Sequence, residues 1–123
     1  MKASALGLLL CGVALNAAAQ LGLKAATLPI GEITLTPPSL RTAIPQLVTA
    51  PTFWLAIAAY GLSVLVWIVG LSRVPVSQAY PMLSLGYIAT AVAAPLLLGE
   101  AVSVTRILGI LVIIGGVMLV AQS

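Results

Sequence analysis

Asn16, Gln20 and Lys24 stand four residues apart in an otherwise apolar stretch, so a helix would stack all three on one face. In hydrocarbon a strongly polar or ionisable side chain costs on the order of 2.5 to 3.5 kcal/mol, and such a face needs a partner or a wet cavity. Two arrangements would meet that need. One is a packing stripe, with Asn16 and Gln20 bonded to neighbouring helices and Lys24 snorkelling outward; the other is a graded polar track ending in a cation suited to an anionic headgroup. A second series, Ser77, Tyr80, Ser84 and Tyr87, recurs at i, i+3, i+7 and i+10 and so lines one side of a regular helix. Pro81 lies within it, removes a backbone donor and frees a carbonyl near Ser77, a kind of break that lines cavities in membrane helices. Tyr60 and Trp67, seven apart with Ser63 on their flank, share a face of another segment. Core packing is the ordinary use of such aromatics, and lining a cavity is the alternative.

Other chemistry has little to work with. The chain has no His and no Asp, and Cys11 is its sole cysteine. Metal-ligand spacing, an internal disulfide and a Ser/His or Cys/His pair are therefore absent from the sequence, and no catalytic residue, metal or cofactor is expected. Five Lys and Arg against two Glu give +3, with the charges placed singly, which argues against nucleic acid as a partner.

The elements that must position these residues follow from composition. With 62% hydrophobic and 6% charged residues among 123, and a mean hydropathy of +1.25, the chain is far from the roughly 25% charge of soluble domains. It reads as an all-α integral membrane protein. Segments of about 20 apolar residues span a bilayer, and four are present: residues 3–26, 53–71, 76–98 and 104–121. Residues 27–52 form a proline-rich loop in this reading. Within it, 39–48 could instead make a short interfacial helix with Leu40, Ile44, Leu47 and Val48 on one side, although Pro45 would limit it to roughly one clean turn. Trp54 reads as an interfacial anchor. Lys2, an apolar run and Ala17-Ala18-Ala19 also fit a cleavable secretory signal, but the apolar pattern continues to Ala26 and favours a retained first crossing.

Helices one and three run in the same direction, so Lys24 and Glu100 emerge on one face of the membrane, with Arg106 just inside the next helix. Glu100 could neutralise Lys24 or Arg106. Alternatively Lys24 meets a phosphate through a charge-assisted bond while Glu100 receives a cationic group or holds Lys24 in place. Lys2 and Arg73 lie on the opposite side, and the even split of positive charge leaves orientation open. In the last segment Gly109 and Gly116 share a face, the pattern by which membrane helices approach closely, and it marks a dimer contact; packing inside one subunit is the plainer use.

Read together, these residues resemble the drug/metabolite transporter superfamily, in its short four-helix, small multidrug resistance form. Gly109 to Val117 is similar to that family's dimerising glycine heptad, and Asn16 stands where the family has its coupling glutamate, eight residues before a lysine. With no carboxylate there, proton-coupled export of cationic drugs is not implied. A nearer resemblance is to the small subunits of aminoarabinose-phosphoundecaprenol flippases. It is carried by Gln20-Leu-Gly-Leu-Lys24-Ala-Ala-Thr27, by Val74 to Leu85 with its Tyr80-Pro-Met-Leu-Ser-Leu85, and by Glu100-Ala-Val-Ser103. The resemblance implies a four-helix bundle working as a homodimer or heterodimer in the bacterial inner membrane, moving a polyprenyl-phosphate glycolipid among membrane lipids. Lys24 would hold the phosphate, with Asn16, Gln20, Tyr80 and Ser84 as hydrogen-bonding steps and Glu100 near the exit. Tyr60, Trp67, Ser77 and Tyr87 complete the candidate lining, and Gly109 and Gly116 the dimer contact. The other functions open to this fold are export of a small solute or drug, and a non-transporting role as an assembly subunit.

Overall fold

Inside hydrocarbon a backbone must satisfy its own hydrogen bonds, which leaves a helix as the solution for a chain of this composition. The computed structural model describes residues 2–122, and no strand forms among them. The elements are α1 (Ala3–Thr27), α2 (Pro37–Thr49), α3 (Pro51–Leu71), α4 (Val76–Ala79), a 3-10 turn (Tyr80–Ser84), α5 (Leu85–Leu98) and α6 (Val104–Gln122). Four stretches are long and apolar enough to cross a membrane: α1, α3, the broken helix Val76–Leu98, and α6. The protein is therefore a multi-pass, all-α membrane protein.

α1 is the hub. It packs along α3 and, less extensively, on α5, while α6 leans on the 3-10 turn and α5. Small residues bring α1 and α3 together. A Cβ placed on Gly22 would lie 3.0 Å from the Ala56 Cβ, one on Gly12 would meet the Trp67 ring at 3.4 Å, and one on Gly70 would stand 2.7 Å from Leu9 Cδ2. Close backbone approach of this kind replaces the hydrophobic drive that lipid removes. Leu9, wholly buried, fills the space that Gly70 leaves. Gly22→Leu is accordingly expected to wedge α1 from α3 and cost about 1 to 3 kcal/mol, read as earlier thermal unfolding in detergent micelles.

Outward faces are apolar: Leu96 is 80% exposed and Val112 76%, as suits side chains solvated by lipid. Gly109, Gly115 and Gly116 meet nothing within 4 Å of an added Cβ, so among the described residues these positions are open.

Two sequence expectations need correction. Residues 27–52 are not a loop throughout, because α2 runs the full 13 residues of Pro37–Thr49 and passes through Pro45. Pro37 and Pro38 occupy its first turn, where a missing N–H has no intrahelical partner to lose. Pro45 and Arg41 are both exposed, so water can take the carbonyl that Pro45 leaves without a donor. The Trp54 indole N–H donates to the Val48 carbonyl at 2.7 Å and pins α2 to the start of α3, which begins two residues earlier than read from the sequence.

The second correction concerns the third crossing. Pro81 does break it, and the break is a five-residue 3-10 turn, Tyr80–Ser84. A 3-10 turn advances 120° per residue against about 100° in an α-helix, so the four steps from Tyr80 to Ser84 add roughly 80° of rotation. Ser77, Tyr80, Ser84 and Tyr87 therefore spread over about 120° of the helix surface instead of about 80°.

Candidate functional site

The polar residues of α1 open into a cleft of about 420 Å³ between α1 and α5. Asn16, Gln20 and Lys24 form one wall, Tyr87 and Thr90 of α5 the other, and Glu100 closes the end. The i, i+4, i+8 spacing holds because α1 is unbroken. Glu100 reaches the cleft because Gly99, at φ +70°, turns the chain in the left-handed region at the end of α5, a conformation that glycine adopts without a Cβ penalty. Beyond the turn the Ser103 Oγ accepts the Arg106 N–H at 3.1 Å and caps α6.

A second, smaller cleft of about 170 Å³ continues from the first, with Asn16 and Leu83 lining both. Tyr60, Ser63, Trp67, Tyr80 and Gly12 surround it. Gly12 lies under the Trp67 ring, where an added Cβ would stand 3.4 Å away, and so forms the floor between α1 and α3. The track thus starts beside Lys24 and Glu100 and leads to a ring of aromatics at Asn16. Ser77 and Ser84 line neither cleft.

Hydrogen bonding separates two groups of polar side chains. Ser63 Oγ donates to the Tyr60 carbonyl at 2.6 Å and Thr90 Oγ1 to the Gly86 carbonyl at 3.0 Å, so these hydroxyls are satisfied by their own helices. The side chains of Asn16, Gln20, Lys24, Tyr60, Tyr80, Tyr87 and Glu100 bond no other side chain or backbone group among the described residues. None of the buried side-chain nitrogens or oxygens among the described residues lacks a partner, so the unpartnered amide of the half-buried Asn16 is reachable from the cleft. Such amides and hydroxyls are ready to bind a polar group, and in a dry site they would be costly.

No ion pair joins Glu100 to Lys24 or Arg106 among the described residues. Arg106 instead donates from Nη1 to the Ala101 carbonyl at 3.3 Å. One cation and one carboxylate consequently line the same cleft while neither neutralises the other. Arg106 and Glu100 also share a further cleft of about 310 Å³ between α5 and α6 with Tyr87 and Thr90. Thr90 and Arg106 were not among the lining residues expected from sequence. Thr90 continues the Tyr87 series by three residues and was legible in principle; Arg106 required the packing of α6.

A family model for EamA-like transporters matches residues 2–122. A probable 4-amino-4-deoxy-L-arabinose-phosphoundecaprenol flippase subunit ArnE of Pseudomonas fluorescens (strain Pf0-1) is 45% identical over 73 residues, 59% of this chain and 64% of that protein. The ArnE of Escherichia coli O45:K1 is 41% identical over 69 residues, 56% of this chain and 62% of that protein. The matched part of the chain thus spans just under two thirds of the length of these ArnE relatives. A probable ArnF subunit of Erwinia tasmaniensis is 36% identical over 110 residues, 88% of this chain and 87% of that protein. No solved structure gives a significant match.

Proposed function

This chain belongs to the EamA-like transporter family, and from that premise we propose that it is one subunit of a dimeric flippase for a polyprenyl-phosphate-linked amino sugar in the bacterial inner membrane. One observation carries the reading: Lys24 and Glu100 line a single cleft without pairing, beside the unpartnered Asn16 and Gln20. A headgroup carrying both a phosphate and an ammonium has the charge pattern that fits. Lys24 takes the phosphate through a charge-assisted bond, Glu100 takes the ammonium, and the amides and Tyr87 and Tyr80 supply hydrogen bonds along the track. The names of the ArnE and ArnF relatives, which pair such a sugar with phosphoundecaprenol, support the same substrate class.

The clefts lie on the side of a single four-helix domain, so a second subunit is needed to complete an enclosed passage. Gly109 and Gly116 offer it an open face on α6, and an antiparallel pair would supply the inverted repeat that alternating access uses. The substrate changes sides without any bond being made or broken, and no catalytic residue is assigned. Lipid analysis of the purified protein, followed by a flipping assay in proteoliposomes alone and with a related four-helix subunit, tests the proposal. Bound polyprenyl phosphate and accelerated movement of its sugar derivative are expected. Transport of a free amino sugar with no lipid bound would favour a soluble-solute exporter, and lipid bound by neither preparation, with no movement, would favour an assembly role.

A further inference from the structure

A groove of about 460 Å³ runs between α5 and α6, walled by apolar side chains that include Val92, Leu96, Ile107 and Ile114. It is not isolated. Ala91, Pro95, Val102 and Ile110 belong both to this groove and to the cleft holding Glu100 and Arg106. That cleft in turn shares Tyr87, Thr90, Ala94 and Glu100 with the one holding Lys24. Walking along these shared walls, polarity falls from a lysine and two amides, through a carboxylate and a guanidinium beside hydroxyls, to hydrocarbon alone. A polyprenyl-phosphate glycolipid likewise passes from a charged head to hydrocarbon alone.

Resting on the flippase reading above, we propose that the α5–α6 groove seats the phosphate-proximal isoprene units of the substrate lipid while its headgroup occupies the adjoining charged clefts lined by Lys24, Glu100 and Arg106. Exposing a tail to water costs about 0.8 kcal/mol per CH₂, so a bound head needs an apolar path leading directly from it. The α5–α6 groove is continuous with the charged clefts and provides that path. It also stays clear of the expected dimer contact. At about 100° per residue, Ile107, Ile110, Leu111 and Ile114 cluster on one side of α6, while Gly109 and Gly116 fall on the opposite side. A partner subunit on the glycine face therefore leaves the groove open to the bilayer.

The test is photolabelling of the full chain in vesicles with undecaprenyl phosphate carrying a diazirine on its first isoprene unit. Label is expected on residues 88–96 or 107–114, to be displaced by excess undecaprenyl phosphate and not by excess phosphatidylglycerol. Ala91→Phe and Ile110→Phe, which fill the groove from its two walls, are expected to bring labelling to background, and Leu65→Phe on the exposed face of α3 to leave it unchanged. Label elsewhere in the chain, equal displacement by phosphatidylglycerol, or undiminished labelling of both groove variants would overturn the tail seat. Labelling needs no transport, so the two proposals fail separately. Specific label in the groove with no flipping defeats the flippase reading alone, and flipping with label elsewhere defeats the tail seat alone.

Discussion

Lys24→Met is expected to slow headgroup movement by roughly 10- to 150-fold, the equivalent of about 1.5 to 3 kcal/mol for a hydrogen bond to a charged group. The reason lies in what Lys24 lacks. It is exposed to the cleft and pairs with no carboxylate among the described residues, so its charge is available to a phosphate. For the same reason its removal strands no buried partner. Methionine keeps the length and apolar stem of the side chain, so thermal unfolding in detergent and the crosslinked dimer fraction should match those of the parent. The measurement is the initial rate in proteoliposomes made with equal amounts of folded protein. A folded, dimeric Lys24→Met protein moving the lipid at the parental rate would remove Lys24 from the mechanism.

The second large effect is expected at Gly116. An added Cβ at Gly116 finds nothing within 4 Å among the described residues, so leucine has room there within its own subunit, and leucine is a better helix former than glycine by nearly 1 kcal/mol. The single subunit should fold at least as well. Between subunits the outcome reverses, because a bulky side chain holds two backbones apart at a contact built from small residues. Dimer affinity is expected to fall by at least about tenfold, or about 1.4 kcal/mol, seen as a lost dimer band on crosslinking across a protein-to-detergent dilution series. An unaltered dimer would move the interface off this face of α6.

Comparison with Gly22 shows why glycines at helical spacing cannot be told apart by pattern alone. Gly22 sits against Ala56 inside the subunit, whereas Gly109 and Gly116 face nothing in it. In the sequence all three are glycines in apolar helices, and the difference lies in which helix is adjacent.

The polar side chains divide in a similar way. Asn16, Gln20 and Lys24 could be placed together from spacing because α1 keeps its 3.6-residue period for 25 residues. The Ser77 to Tyr87 series divides between clefts, and the 3-10 turn at Tyr80–Ser84 widens its arc by changing the angle per residue partway along. Tyr80 joins Tyr60 and Trp67, while Tyr87, further along the broken helix, joins Lys24 and Glu100. α2 shows the same limit from another direction. Pro45 looked like a helix stop, yet the cost of a missing donor depends on whether water reaches the freed carbonyl, which is a matter of exposure.

What the amino-acid order determined without help was the membrane class, the four crossings and the charged end shared by Lys24 and Glu100. These depend on length, hydropathy and helical period, all of which are local. Which polar groups meet across helices, which glycines pack inside the subunit, and how the clefts run on into an apolar groove were decided only by tertiary packing. Side chains on different helices have no fixed spacing along the chain, and their meeting is set by how the helices pack, as where Gly22 and Gly70 let α1 and α3 approach closely.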